Sequence, residues 1–352
     1  MYVRTNSDAE FNYGENVKII GNLKYKLLSS SRQIFSIENP EINLNDSSAN
    51  SFLAVVNFVR QQISETFYEF LPSDLAGLLL GIVIGLKTNF SPQFLNSLRL
   101  SGVMHVVAAS GMNVTMVGGF FFYSFSLFLK RQQAVTISIL AILFYAFLAG
   151  FQPSIIRACI MGIILFLSQI LGRQNYSFYA LVVALLIMLL LWPNFLVDVG
   201  FQLSFMATLG LLFIPRALGR IRDFASGDLV ATLSAQATSL PILVANFGSY
   251  SVWSVVVNVL VLWTIPPLMV LGGIAAIISL VLAPFAKYIL WLALPLLSFF
   301  EKVVMFFAGL PGVMRLNSVS WYLTAGYYLL LLAFVSFRLR SKTSNSPWLK
   351  PE

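Results

Sequence analysis

The sequence predicts an all-α polytopic membrane protein of about 8–10 transmembrane or re-entrant helices, preceded by a small N-terminal β module. Three observations predict it. Hydrophobic residues make up 58% of the 352 residues and charged residues only 10%, whereas a soluble domain carries about 25% charged residues. The mean hydropathy is +0.82. Long apolar runs are separated by short polar gaps, and the basic residues collect in alternate gaps.

Composition also excludes chemistry. The single cysteine, Cys159, lies in an apolar run, so neither an intramolecular disulfide nor a cysteine-based metal cluster is available. One histidine, His105, rules out a zinc site of two or three histidines. No metal or cofactor is therefore expected. The opening MYVRTNSDAEF has no apolar core, so no cleavable signal peptide is expected. The net charge of +8 suits either cytoplasmic anchoring or a polyanionic cargo.

Residues 1–48 read as a polar β module. Val17, Ile19, Gly21, Leu23 and Tyr25 alternate with Lys18, Asn22, Lys24 and Lys26, the period of a half-exposed strand. Gln33–Ile37 reads as a second strand after a turn at Leu28 and the following serines. Asp46–Asn50 is the linker. Residues 51–100 read as interfacial and re-entrant pieces. In Ser51–Phe70, Phe52, Val55, Val56, Val59, Ile63, Phe67 and Phe70 share a helical face opposite Arg60, Gln61, Gln62 and Glu65. Leu75–Leu86 is apolar but has 12 residues, against the ~20 a spanning helix needs. It reads as re-entrant or buried. Asn89–Leu100 reads as a helix with Ser91 at the N-cap and Pro92 at the first position.

Residues 101–340 read as the transmembrane domain, with 341–352 as a tail. Spans are placed near 103–129, 134–151, 154–171, 177–192, 195–215, 229–247, 252–271, 272–295 and 319–338. The first is interrupted by Ser110-Gly111. Pro266-Pro267, Gly272-Gly273, Pro284 and Pro295 interrupt or end helices in the later region, and Glu301–Pro311 reads as an interfacial piece. Lys130 and Arg131, Arg173, Arg216 with Arg220 and Arg222, and Arg338, Arg340, Lys342 and Lys350 mark the cytoplasmic ends. That count puts the N-terminal module outside and the C-terminus in the cytoplasm.

Polar groups inside the apolar runs are the candidate site. His105, Ser110, Gly111 and Asn113 surround the break; they form either a tight break with His105 bonded to a nearby carbonyl, or a half-helix N-terminus beside a polar path. Arg157, four residues after Pro153, either snorkels to the outer interface or lines a conduit. Asp198 and Gln202, four apart with Ser204 nearby, share a helix face, although Asp198 also fits a plain N-cap. Gln236 and Asn258 fit interhelical hydrogen bonds. An intramembrane serine hydrolase is a poor fit. His105 and Ser110 are five apart, about 140° around one helix, and there is no second histidine to act as base. No Gly-Lys-Ser phosphate loop is present, so transport would be powered from elsewhere. The chain is expected not to be an enzyme.

LAGLLLGIVIGL, LRLSGVMHVVAASGMNV, PSIIRACIMG followed by LGR, and DVGFQLSFMATLG together resemble the competence domain of the ComEC family over about residues 70–340. The N-terminal strands resemble part of the OB-like domain that precedes the channel there. The family often has a histidine where this chain has Asn113, and many members add a metallo-β-lactamase-like domain whose His-x-His-x-Asp-His cluster is absent here. The chain thus resembles a short form of the family. The resemblance implies an inner-membrane channel that admits single-stranded DNA during natural transformation. It implies partners as well: a DNA receptor, a cytoplasmic ATPase or helicase, a separate nuclease, and the membrane lipid, with oligomers possible. Arg99, His105, Ser110, Gly111, Asn113, Arg157, Asp198 and Gln202 become candidate wall residues of the DNA path. Lys18, Lys24, Lys26 and Arg32 become candidate strand contacts, with a solvated face as the alternative. The rival readings are a secondary transporter of a small anionic or lipid-like solute, built on the broken helix, and a membrane scaffold.

Overall fold

The computed structural model describes residues 51–86, 90–107, 110–174, 176–218, 227–247, 249–315 and 321–344, together with the backbone of five N-terminal strands. The chain divides into two compact units, 1–63 and 64–352.

In the first unit the strands are β1 (Tyr2–Val3), β2 (Val17–Ile20), β3 (Leu23–Ser29), β4 (Arg32–Ile37) and β5 (Glu41–Leu44). β3 pairs antiparallel with β4, and β1 runs parallel to β4. β2 pairs antiparallel with β5 in a separate sheet. The alternating run expected as one strand from Val17 is therefore two strands with different partners. The side chains of Lys18, Lys24, Lys26 and Arg32, and the linker 46–50, lie outside the described residues.

Helix α1 (Ser51–Phe70) has the expected bounds, but its buried positions are Val56, Arg60, Ile63, Thr66 and Phe67. Arg60, expected on the polar face, is instead buried. Its long aliphatic stem suits that stripe, while Phe52, Val55 and Phe58 are exposed.

The second unit is a helical membrane body. α2 (Ser73–Ile84) is buried at every position from Leu75 to Ile84, as its all-round apolar sequence requires. α3 (Pro92–Leu100) starts as expected. Ser91 Oγ accepts from the Phe94 amide at 3.2 Å, with Pro92 in the first turn, where its missing N–H costs nothing. Asp74 locks this cap, accepting from the Ser91 amide at 2.8 Å and its hydroxyl at 2.6 Å.

The first span is indeed broken, into α4 (Met104–Val107) and α5 (Gly111–Ser126). α6 (Arg131–Ala149), α7 (Pro153–Ile170) and α8 (Ser177–Leu191) follow. A 3₁₀ turn, Pro193–Val197, leads into α9 (Val199–Leu218), and α10 (Gly227–Phe247) packs along it. Strand β6 (Ser249–Ser251) pairs with β7 (Val313–Arg315), and Trp253 Nε1 donates to the Pro311 carbonyl at 3.0 Å beside them.

The region after residue 252 departs from expectation. α11 (Ser254–Leu262) is short, and α12 runs from Ile265 to Ala308. Pro266 and Pro267 sit in its first turn, where they are tolerated. Gly272-Gly273 does not end a helix. Gly272 lets α12 lie against Leu79 and Val83 of α2. The real interruption is at Leu282 (φ −141°, ψ 66°), just before Pro284, whose ring crowds the carbonyl four residues back. Glu301–Ala308 belongs to α12 rather than to a separate interfacial piece. α13 (Trp321–Ser344) ends the described chain.

Among the described residues, six helical segments are long and apolar enough to cross a membrane, Met104–Ser126 being one of them when α4 and α5 are taken together, and three shorter apolar helices accompany them. Their outward faces carry residues such as Leu140, Leu190, Val281 and Leu330, as lipid contact demands.

Candidate functional site at the broken helix

Four parts of the membrane body meet at the break. α2 ends at Gly85, whose φ of 69° is left-handed and suits glycine. The last carbonyls of a helix have no intrahelical donor and need one from elsewhere. Asn113 Nδ2 donates to the Ile82 carbonyl at 2.7 Å, and Gln152 Nε2 to the Gly85 carbonyl at 3.3 Å. The end of α2 is thus capped by α5 and by the residue preceding α7. Gly81 faces the end of α4, and a Cβ there would stand 2.5 Å from the Val107 carbonyl oxygen.

Ser110 is extended (φ −113°, ψ 169°) and occupies the N-cap of α5. Its hydroxyl donates to Asn113 Oδ1 at 3.1 Å and makes no capping bond to the α5 backbone. The positive end of α5 therefore has no side-chain cap.

Arg157 reaches this end from α7. It does not snorkel: only 9% of its surface is exposed. Nη1 donates to the Ser204 carbonyl and to Thr208 Oγ1, both on α9. The guanidinium carbon stands 5.8 Å from the Phe205 ring centroid. Nε has no hydrogen-bond partner among the described residues. Nη2 points at α5, 3.1 Å from where a Cβ on Gly111 would be. None of the contacts to Arg157 among the described residues is from a carboxylate.

The other candidates are placed differently. His105 sits on α4, where its ring interacts with the backbone of Gly102. It keeps accessible surface. Arg99 is exposed at the end of α3. Asp198 Oδ1 accepts from the Phe201 amide at 2.8 Å and so caps α9. Gln202 Nε2 donates to the Leu196 carbonyl at 2.8 Å. Both serve their own turn rather than each other. Gln236 Nε2 donates to Ser254 Oγ at 3.4 Å, linking α10 to α11. Asn258 is buried with Oδ1 unpartnered among the described residues.

Thr208 and Gln152 were not anticipated. Thr208 had a legible signal, a hydroxyl four residues after Ser204 on the same face. Gln152 had none, because its partner is 67 residues away. No group of three or more His, Cys, Asp or Glu that could hold a metal occurs among the described residues.

These features define a polytopic α-helical membrane protein with polar groups gathered at a broken helix. The chain belongs to the Competence protein family, whose model matches residues 82–341. It is 27% identical over 240 residues to ComE operon protein 3 of Bacillus subtilis (strain 168), covering 68% of this chain and 31% of that protein. It is 31% identical over 163 residues to an uncharacterized protein of Aquifex aeolicus (strain VF5), covering 45% of this chain and 37% of that one. The chain spans about a third of the length of these curated relatives. No solved structure matches it.

Proposed function

We propose that this chain forms the membrane conduit of a competence DNA-uptake system and passes single-stranded DNA into the cytoplasm. The observation that carries the reading is Arg157, a buried guanidinium with no carboxylate contact among the described residues, at a helix break inside the family-matching segment. A strand carries one negative charge per nucleotide, so its path needs cationic and polar groups that hold it weakly. The chain performs no covalent step itself, and strand degradation and driving force come from other competence proteins.

The basic residues at the α5–α6 turn (Lys130, Arg131), after α7 (Arg173) and at the end of α9 (Arg216) favour cytoplasmic placement. The break then lies toward the outer side of the membrane, and the N-terminus is placed outside by the same count. The N-terminal unit, read as a partial OB-like module, delivers the strand through Lys18, Lys24, Lys26 and Arg32. The helix N-terminus at the break also favours a second reading, transport of a small anionic solute.

Uptake of labelled DNA, scored as nuclease-protected cytoplasmic single strands, separates the two. Deletion and Arg157→Ala, compared with wild type at matched membrane abundance, are both expected to lose uptake. Unchanged uptake in the deletion strain, in a competent host, would refute the conduit.

A further inference from the structure

The membrane body holds a buried charge that no carboxylate among the described residues neutralises. An ionised group removed from water is costly unless it is paired and hydrogen-bonded. Arg157 satisfies one edge of its guanidinium on α9 and turns Nη2 toward α5, where it has no hydrogen-bond partner among the described residues. What it faces makes the cost larger, because the N-terminus of a helix carries about half a positive charge. Ser110 withholds its cap from that terminus and spends its hydroxyl on Asn113. Two positive ends therefore converge without an intervening anion among the described residues. Gly111, lacking a Cβ, lets Nη2 come close to the first turn of α5, 3.1 Å from where that Cβ would stand.

We propose that Arg157 Nη2 and the uncapped first turn of α5 form a binding site for a single phosphodiester anion. One monoanionic group would accept from Nη2 and from the Gly111 and Met112 amides together, the Asn113 amide being taken by the Ser110 carbonyl at 3.1 Å. Both donors are indifferent to the base, so the site reads charge and not sequence. Asn113 holds the α5 terminus to α2, and the bonds of Nη1 hold the guanidinium to α9. The donors are thus fixed before the anion arrives. The site rests on the conduit reading for its ligand; a phospholipid headgroup offers the same chemistry.

The test uses the full chain in nanodiscs of neutral phosphatidylcholine and a fluorescent oligothymidylate, titrated at several salt concentrations. Arg157→Gln and Gly111→Ala are each expected to weaken binding about tenfold. In both, the slope of log affinity on log salt is expected to become shallower by about 0.7, the value for one single-strand phosphate contact. A neutral methylphosphonate strand is expected to bind wild type and variants alike. Arg157→Lys supports the site if the slope stays near wild type while affinity falls, since charge is kept and the fork is lost. It and Gly111→Ala decide the matter if Arg157→Gln unfolds.

Wild-type affinity and slope in every variant would overturn the site and leave the conduit standing. Absence of strand binding by wild type itself would remove the conduit reading and the site's ligand together. In nanodiscs containing phosphatidylglycerol, lipid retained by wild type and lost by Arg157→Gln, with strand affinity equal in both, would overturn the strand assignment in favour of a headgroup.

Discussion

Asn113 is the residue whose replacement tests the construction of the break most directly. It is 2% exposed and makes two described hydrogen bonds, 2.7 Å to the Ile82 carbonyl and 3.1 Å from the Ser110 hydroxyl. Asn113→Ala removes both. A side-chain hydrogen bond within a membrane averages about 0.6 kcal/mol, so the pair gives about 1.2 kcal/mol. The Ile82 carbonyl, in the last turn of α2, then lacks the Asn113 donor, and an orphaned buried acceptor adds about 1 kcal/mol or more. The expected destabilisation is about 2 kcal/mol, roughly a 30-fold shift in the folding equilibrium. Equilibrium unfolding of the purified protein in mixed micelles, followed by circular dichroism, measures it. Asn113→His restores a donor toward Ile82 and is expected to recover most of the loss. If Asn113→Ala unfolds within about 0.3 kcal/mol of wild type, the Asn113 bridge contributes nothing and this account of the break fails.

Gly210 marks a close approach of α9 and α10, since a Cβ there would overlap the Ser234 carbonyl oxygen and Thr238 Oγ1. Gly210→Ala is expected to cost about 1–3 kcal/mol and to raise protease sensitivity of the α9–α10 pair; unaltered digestion would argue against the tight crossing. Asp198→Ala is expected to cost about 1 kcal/mol through the lost α9 cap, with Asp198→Asn near neutral. DNA uptake by both should match wild type once abundance is equalised, and a selective uptake defect in Asp198→Asn would return Asp198 to the conduit wall.

The helix order up to residue 247 was legible in the sequence because each span is a local quantity: an apolar run, a basic gap and a turn signal lie within one window. The Ser91 cap was legible for the same reason, since capping joins residues three apart. The stretch after 252 was not. Glycine and proline there signal breaks equally well whether a helix stops or continues. Only the packing of Gly272 on Leu79 and Val83, and the kink at Leu282, decide between them. Arg60 failed for a related reason: a long cationic side chain reads as surface, although its stem can be buried.

At the break, the sequence determined which residues are polar within an apolar span, and with that the existence of a candidate site. It did not determine their partners. Asn113 meets Ile82 across 31 positions, and Arg157 meets Ser204 and Thr208 across 47 and 51. In lipid the outer faces of helices are as apolar as the inner ones, so periodicity does not say which side chains face one another. The tertiary structure decided that Asp198 and Gln202 serve their own turn, that Asn113 joins α5 to α2, and that Arg157 turns inward to the uncapped end of α5. A charge with no carboxylate partner among the described residues can be recognised only once its neighbours in space are known.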